Sequence, residues 1–398
     1  MKKMNIKTAV LPAISWTMAC MLFLMSCQKA IRPSSDQNSP VVLQEAKANS
    51  QKPNENKKVG HFAQVNLTAN NNEYGAPNID PTLLNSWGLV FNPNGTAWIS
   101  SQAGHVSNVY NSEGVPRLPL NPVSIPSPGS NTGGNPTGIV FNSVSTDFII
   151  PGKGGAVFIF DGVDGVISAW NGSLGKQAAR ITAGQGAYTG LALAANNGKQ
   201  NLYAANFATG HIDVWNSTWT MVSMPFTDPN LPAGYSPFNI WKVGGNLLVM
   251  YAKVDPVTHR SQAGEGLGIV DVYRPDGSFV QRFATGGPLN APWGIAMVPR
   301  SFFHQEMDEM DNDDNEGQNQ NYILIGNFGN GRINAYRTNG KFVGQLRGKK
   351  DPIVIDKLWA IMLPPSTSTI DQSRLYFTAG PDEETDGLFG YLIAKDDD

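Results

Sequence analysis

The sequence predicts an all-β protein, a six-bladed β-propeller closed by an N-terminal strand that completes the last blade. Three observations predict it. A motif of the form Gly-x-hydrophobic-polar-small-aromatic recurs along the chain as "GVISAW" (165–170), "GHIDVW" (210–215), "GIVDVY" (268–273) and "GRINAY" (331–336). A short apolar segment precedes each copy, and its successive starts are spaced by roughly 50 to 66 residues, the size of one four-stranded propeller blade. The 398 residues are 41% hydrophobic and only 15% charged, with 42 Gly and 27 Pro, a mixture that favours turns and strands over surface helices.

The first residues have the layout of a secretory signal. Lys2, Lys3 and Lys7 precede an apolar run from Ala9 to Leu24 that Pro12 interrupts and that is too short to span a bilayer as a helix. The run ends in "LMSC", and Leu24, Met25 and Ser26 before Cys27 resemble the lipobox of bacterial lipoproteins. That resemblance implies cleavage after residue 26, acylation of Cys27 and an exported bacterial lipoprotein held in the cell envelope. Once residues 1–26 are removed, Cys27 is the only cysteine, so no intramolecular disulfide is expected. Residues 27–60 are polar, contain proline and have no sustained periodicity, which reads as a flexible tether. The propeller is expected over residues 61–398.

"HFAQVNLT" (61–68) resembles the outermost strand of other units, such as "GSFVQRFAT" and "GKFVGQLRG", yet precedes every blade. The last unit ends at "GLFGYLIA" with three strands. Pairing the two ends would hide a free edge. Between them, the innermost strands begin "WGLVF" (87), "TGIVF" (137), "TGLAL" (189), "FNIWK" (238), "WGIAM" (293) and "WAIML" (359). Looser third strands, "HVSNVY" and "GLFGYL", fill the first and last units, and "NPNG", "DGVDG", "RPDG" and "RTNG" supply turns. One twisted four-stranded sheet cannot bury both faces alone, whereas radial stacking buries each against a neighbour. The segment 304–321 is an insertion between the first two strands of the fifth unit. Asp311, Asp313, Asn315 and Gly317 there fail the EF-hand spacing, so a solvated acidic loop is expected.

"VYRPDGSFVQRFATGGPLNAPWGIAM", "ILIGNFGNGRINAY" and "LYFTAGPDEETDGLFG" resemble an uncharacterised family of exported bacterial six-bladed propellers, over about residues 61–394. More distantly the chain is similar to NHL-repeat, gluconolactonase-like and strictosidine-synthase-like propellers. These groups include binders and enzymes, so the resemblance implies a fold and no activity.

Function is expected where the loops into each inner strand meet the turns between second and third strands. The first set supplies Asn85, Asn135 and Asn239; the second supplies His105, Asn206, His211, Asn327, Arg332, Glu383 and Asp386. Donors, acceptors and aromatic neighbours in one rim suit a polar small molecule, a glycan or a protein. No Gly-x-Ser-x-Gly or His-Glu-x-x-His pattern occurs, and the inner strands lack the carboxylates that a gluconolactonase-like metal site implies. His105 and His211 with Asp386 or Glu383 are the only candidates for a divalent metal ion, a set with no third ligand fixed by spacing; no cofactor is expected. A formal net charge of −3 without a basic stripe excludes a nucleic-acid footprint. The expectation is a monomeric binding or scaffold module, the alternative being a hydrolase or lyase acting at the channel mouth.

Overall fold

The computed structural model describes residues 58–184, 186–307 and 320–395. The expected signal segment, Cys27, residues 28–57 of the expected tether and the acidic segment 308–319 lie outside them, whereas residues 58–60, also expected in the tether, belong to the first described strand. Among the described residues no helix is long and apolar enough to cross a membrane.

Antiparallel ladders follow one another along the chain. The first joins Ser86–Phe91, Ala97–Ser101, Val106–Tyr110 and Val123–Ser124, and the second joins Pro136–Phe141, Phe158–Gly162, Val166–Trp170 and Ala179–Ala183. The third joins Tyr188–Asn196, Lys199–Asn206 and His211–Asn216; the fourth joins Tyr235–Val243, Asn246–Lys253, Gly268–Tyr273 and Phe279–Thr285. The fifth runs Pro292–Pro299, Asn321–Asn327, Ile333–Arg337 and Phe342–Arg347, and the last begins Leu358–Met362, Leu375–Ala379 and Leu388–Ala394. Each recurring aromatic motif forms a third strand, as its sequence pattern predicts. The third ladder lacks the expected outer strand. Its outer segment carries Pro225, Pro229 and Pro232, which cannot donate to a ladder, and only a single bridge from Trp215 to Met221 remains.

The first strands of successive ladders touch one another in chain order, and Leu358–Met362 returns to Ser86–Phe91. The inner strands therefore close a ring, and the fold is a β-propeller. The small residue that follows the leading aromatic or Thr in most of these strands marks the closest approach. A Cβ on Gly138 would lie 2.7 Å from the Leu191 backbone nitrogen, and one on Gly294 would lie 2.5 Å from the Trp359 carbonyl. No side chain fits there. Where Asn239 replaces the glycine, its Nδ2 donates to the Trp293 carbonyl at 2.8 Å, tying two ladders together.

The ring is sealed by the first described strand, Lys58–Ala69. Its start pairs in parallel with Gln345–Arg347 of the fifth ladder, and Phe62–Ala69 pairs antiparallel with Leu388–Ala394 of the last. Phe62 stacks on Phe302 at 5.0 Å and meets the edge of Phe303 at 6.5 Å, so the start of the 300–307 segment packs over the seam. Between the second and third ladders lies Asp161, a fully buried carboxylate. It accepts from Thr137 Oγ1 at 2.8 Å and from the Gly138 N–H at 2.5 Å, while its Oδ2 has no protein partner. Burial pushes its carboxyl up to about 7.

Candidate functional site

The inner strands all begin at one end of the channel, and the turns between second and third strands reach the same end. Together they enclose a cavity of about 460 Å³. Its floor is aromatic. Trp87 and Trp359 stack at 3.6 Å, Phe328 stacks on Trp359 at 4.1 Å, and Phe238 bridges Phe207 (5.3 Å) and Trp359 (5.8 Å). Trp87, Trp359 and Phe238 stand at the start of inner strands. Phe207 and Phe328 follow the asparagine of "ANFATG" and "GNFGNG". The two most similar repeats thus each place a ring in the cavity.

A polar rim stands above the floor. Asn85 Nδ2 donates to Gln102 Oε1 (3.0 Å) and Glu384 Oε2 (3.1 Å), and Asn85 Oδ1 accepts from Trp359 Nε1 at 2.9 Å. Gln102 Nε2 continues the network to Asn135 Oδ1 at 3.0 Å. From the opposite side, the 254–267 turn of the fourth ladder brings His259, Arg260 and Ser261 to the cavity. Arg260 Nη2 donates to Glu384 Oε1, an ion pair between the fourth and last ladders. Lys357 Nζ lies 3.0 Å from Glu383 Oε2 and 5.4 Å above the Phe328 ring, a cation–π contact. The Trp359 N–H is thus used, as is that of Trp293, which packs edge-on against Trp87 and Trp359 outside the cavity lining and donates to the Thr189 carbonyl at 2.7 Å. That of Trp87 is buried without a protein partner.

The sequence-predicted residues divide between cavity and scaffold. Asn85 and Glu383 line the cavity, and Asn135 supports Gln102. Asn206 accepts from the N–H of Ala187 and Thr209 and donates to Asp213; Asn327 donates to the Pro288 carbonyl and accepts from the Asn290 N–H. Both are buried and hold their turns. Asn239 ties two inner strands, as described. Asp386 is taken by Asn70, Asn71 and Tyr74 near the N-terminal strand. His105 adopts a left-handed backbone, with Nδ1 2.9 Å from the Gly134 carbonyl. His211 is exposed beside Asn206, and Arg332 reaches Gln345 Oε1 at 3.4 Å. Among the described residues no group of three His, Cys, Asp or Glu side chains could hold a metal ion. Gln102, His259, Arg260, Ser261, Phe207, Phe238 and Phe328 are among the cavity residues that the sequence reading did not name. The repeated Asn-Phe pair was a readable signal for Phe207 and Phe328. The 254–267 turn joins the second and third strands of the fourth ladder, where a site turn was expected, but none of its residues belongs to a repeated motif, so none was picked out.

No protein-family model matches the chain. It is 31% identical over 348 residues to the uncharacterized protein L690 of Acanthamoeba polyphaga mimivirus, covering 83% of this chain and 85% of that protein. It is 30% identical over 349 residues to the uncharacterized protein R648 of the same virus, covering 84% and 80%. The resemblance to exported bacterial propellers, and through them to NHL-repeat and gluconolactonase-like proteins, is corrected by these relatives, which are viral. Among solved structures the chain is similar to virginiamycin B lyase from Staphylococcus aureus, at 13% identity and a TM-score of 0.46, covering 84% of this chain and 99% of that one. A streptogramin B lyase is similar at 11% identity and a TM-score of 0.47, covering 85% and 98%. At that overlap the likeness carries nothing about the chemistry of this chain.

Proposed function

Because the chain belongs to the family of the mimivirus proteins L690 and R648, whose names state no activity, we propose a function from the cavity itself: a six-bladed binding module for a saccharide. One observation carries the reading, five aromatic rings beneath a rim of amide, hydroxyl and charged side chains in one concave site. A sugar ring has an apolar C–H face and a hydroxyl edge, which match a stacked aromatic floor and a hydrogen-bonding rim. The volume lies within the range of about 300–1,000 Å³ typical of small-molecule sites. Both carboxylates of the mouth are held by cations, Glu384 by Arg260 and Glu383 by Lys357, and no nucleophile and base stand paired there. A hydrolase or lyase is the second reading, favoured by His259 lining the same cavity as Glu383 and Glu384.

We also propose that a lipid on Cys27 holds the chain at a membrane, supported by "LMSC" after a basic and apolar leader.

Tryptophan fluorescence of the full chain, titrated with a panel of oligosaccharides, tests the binding reading. A saturable change is expected. Trp87→Phe keeps a ring in the stack but reduces the aromatic surface lining the cavity, so it is expected to weaken binding by about two- to tenfold. No saturable change with any saccharide would remove the reading. Turnover of a bound saccharide, abolished in His259→Ala, would replace it with the enzymatic one.

A further inference from the structure

The turn that carries the mouth carboxylates is unusual in its backbone. Asp382, Glu383 and Glu384 have φ of 52°, 53° and 72°, three consecutive residues other than glycine in the left-handed region. Such a run persists only where surrounding contacts impose it. Local bonds supply part of the constraint, since the Glu384 N–H donates to the Gly380 carbonyl and Thr385 Oγ1 donates to Asp382. Side-chain ion pairs, one within the last ladder and one from the fourth, add to it. Glu384 is held by Arg260 from the fourth ladder and Glu383 by Lys357 at the base of an inner strand. The strained turn therefore presents two carboxylates to two cations beside the aromatic floor.

The two members of the main pair differ in exposure. The Glu384 side chain is only 12% exposed, anchored by Asn85, whereas that of Arg260 is 63% exposed. A guanidinium in that much solvent holds its carboxylate weakly. Its planar fork is nonetheless shaped to take a carboxylate through two parallel hydrogen bonds. We propose that the cavity selects acidic over neutral saccharides, a carboxylate of the ligand taking the place of Glu384 on Arg260. The aromatic floor then receives the sugar ring, while Lys357 stays paired with Glu383 and the displaced Glu384 keeps its hydrogen bond from Asn85. The inference rests on the saccharide reading and specifies its ligand class. No covalent step is involved: one carboxylate replaces another on the same guanidinium.

Fluorescence titration of the full chain with trigalacturonate and with neutral galactotriose tests it. Trigalacturonate is expected to bind about tenfold more tightly at low salt, with the preference shrinking at high salt as the exposed charges are screened. Arg260→Ala is expected to collapse the preference. Glu384→Gln keeps a side chain of the same size and removes the competing charge, so it is expected to strengthen trigalacturonate binding; it also serves if Arg260→Ala fails to fold. Equal affinities for the two trimers, or a preference untouched by Arg260→Ala, would overturn the acidic selectivity and leave the saccharide site standing. Weaker trigalacturonate binding in Glu384→Gln would also overturn the exchange. Binding of neither trimer would overturn it, and the saccharide reading falls as well only if the wider panel also fails.

Discussion

Phe62→Ala tests the seam that closes the propeller. Phe62 is 2% exposed, lies on the strand that pairs with Leu388–Ala394, and contacts Phe302 and Phe303 through its ring. Its truncation removes a buried aromatic and leaves a cavity between two rings fixed by their own segment. Changes of that kind cost about 3–5 kcal/mol. Against a total stability of about 5–15 kcal/mol, the loss is a large fraction of what holds the fold. Gln64→Ala, on the same strand but exposed, is the control and is expected to stay within about 0.5 kcal/mol. Equilibrium urea unfolding followed by tryptophan fluorescence reads both, with a lowered midpoint and an unchanged slope for Phe62→Ala. A loss below about 1 kcal/mol, indistinguishable from Gln64→Ala, would refute the claim that this strand seals the ring.

Two further outcomes are expected. The Asp161 carboxyl titrates near 7 when folded against 3.8 in the open chain, so the folded state binds the extra proton and stability falls as pH rises between those values, by on the order of 4 kcal/mol. Asp161→Asn, which supplies the neutral form permanently, should flatten that slope in urea melts across pH 4 to about 8 and exceed the parent above pH 7; an unchanged pH profile would mean that the carboxyl is not the titrating group. Cys27→Ser should move the expressed chain out of the membrane fraction and abolish labelling by a fatty-acid analogue, and unaltered fractionation and labelling would remove the proposed anchor.

The architecture was legible because it is periodic. "GHIDVW" and "GRINAY" announce third strands, and the glycine after Thr137 or Trp293 announces inner strands that touch. "FAQVNLT" was assigned to the last blade by strand count alone, and it pairs there. The missing outer strand of the third ladder was not foreseen, although its prolines were visible, because a fifty-residue spacing persists whether or not the last strand forms. The site was less legible. Repeated asparagines attract attention in a sequence, but repetition favours residues that every turn needs, and Asn206 and Asn327 satisfy backbone groups. The rim instead draws Arg260 and His259 from the long second-to-third-strand turn of the fourth ladder, whose residues repeat nowhere else in the chain. Asn85 was found because it begins an inner strand, and its contact with Glu384 joins residues 299 positions apart.

The pairing of the first described strand with the last also bears on how the chain reaches its fold. Residues 62–69 leave the ribosome early, yet their partners at 388–394 are made more than 300 residues later. Each intervening ladder is local and can form as it emerges, but the seam cannot. Contacts of such long separation are slow to find, and until they do the chain exposes one unpaired strand and one open sheet edge. While the residues between them are made, Phe62–Ala69 therefore waits without its partner strand, and a chaperone that covers extended strands would act on that interval.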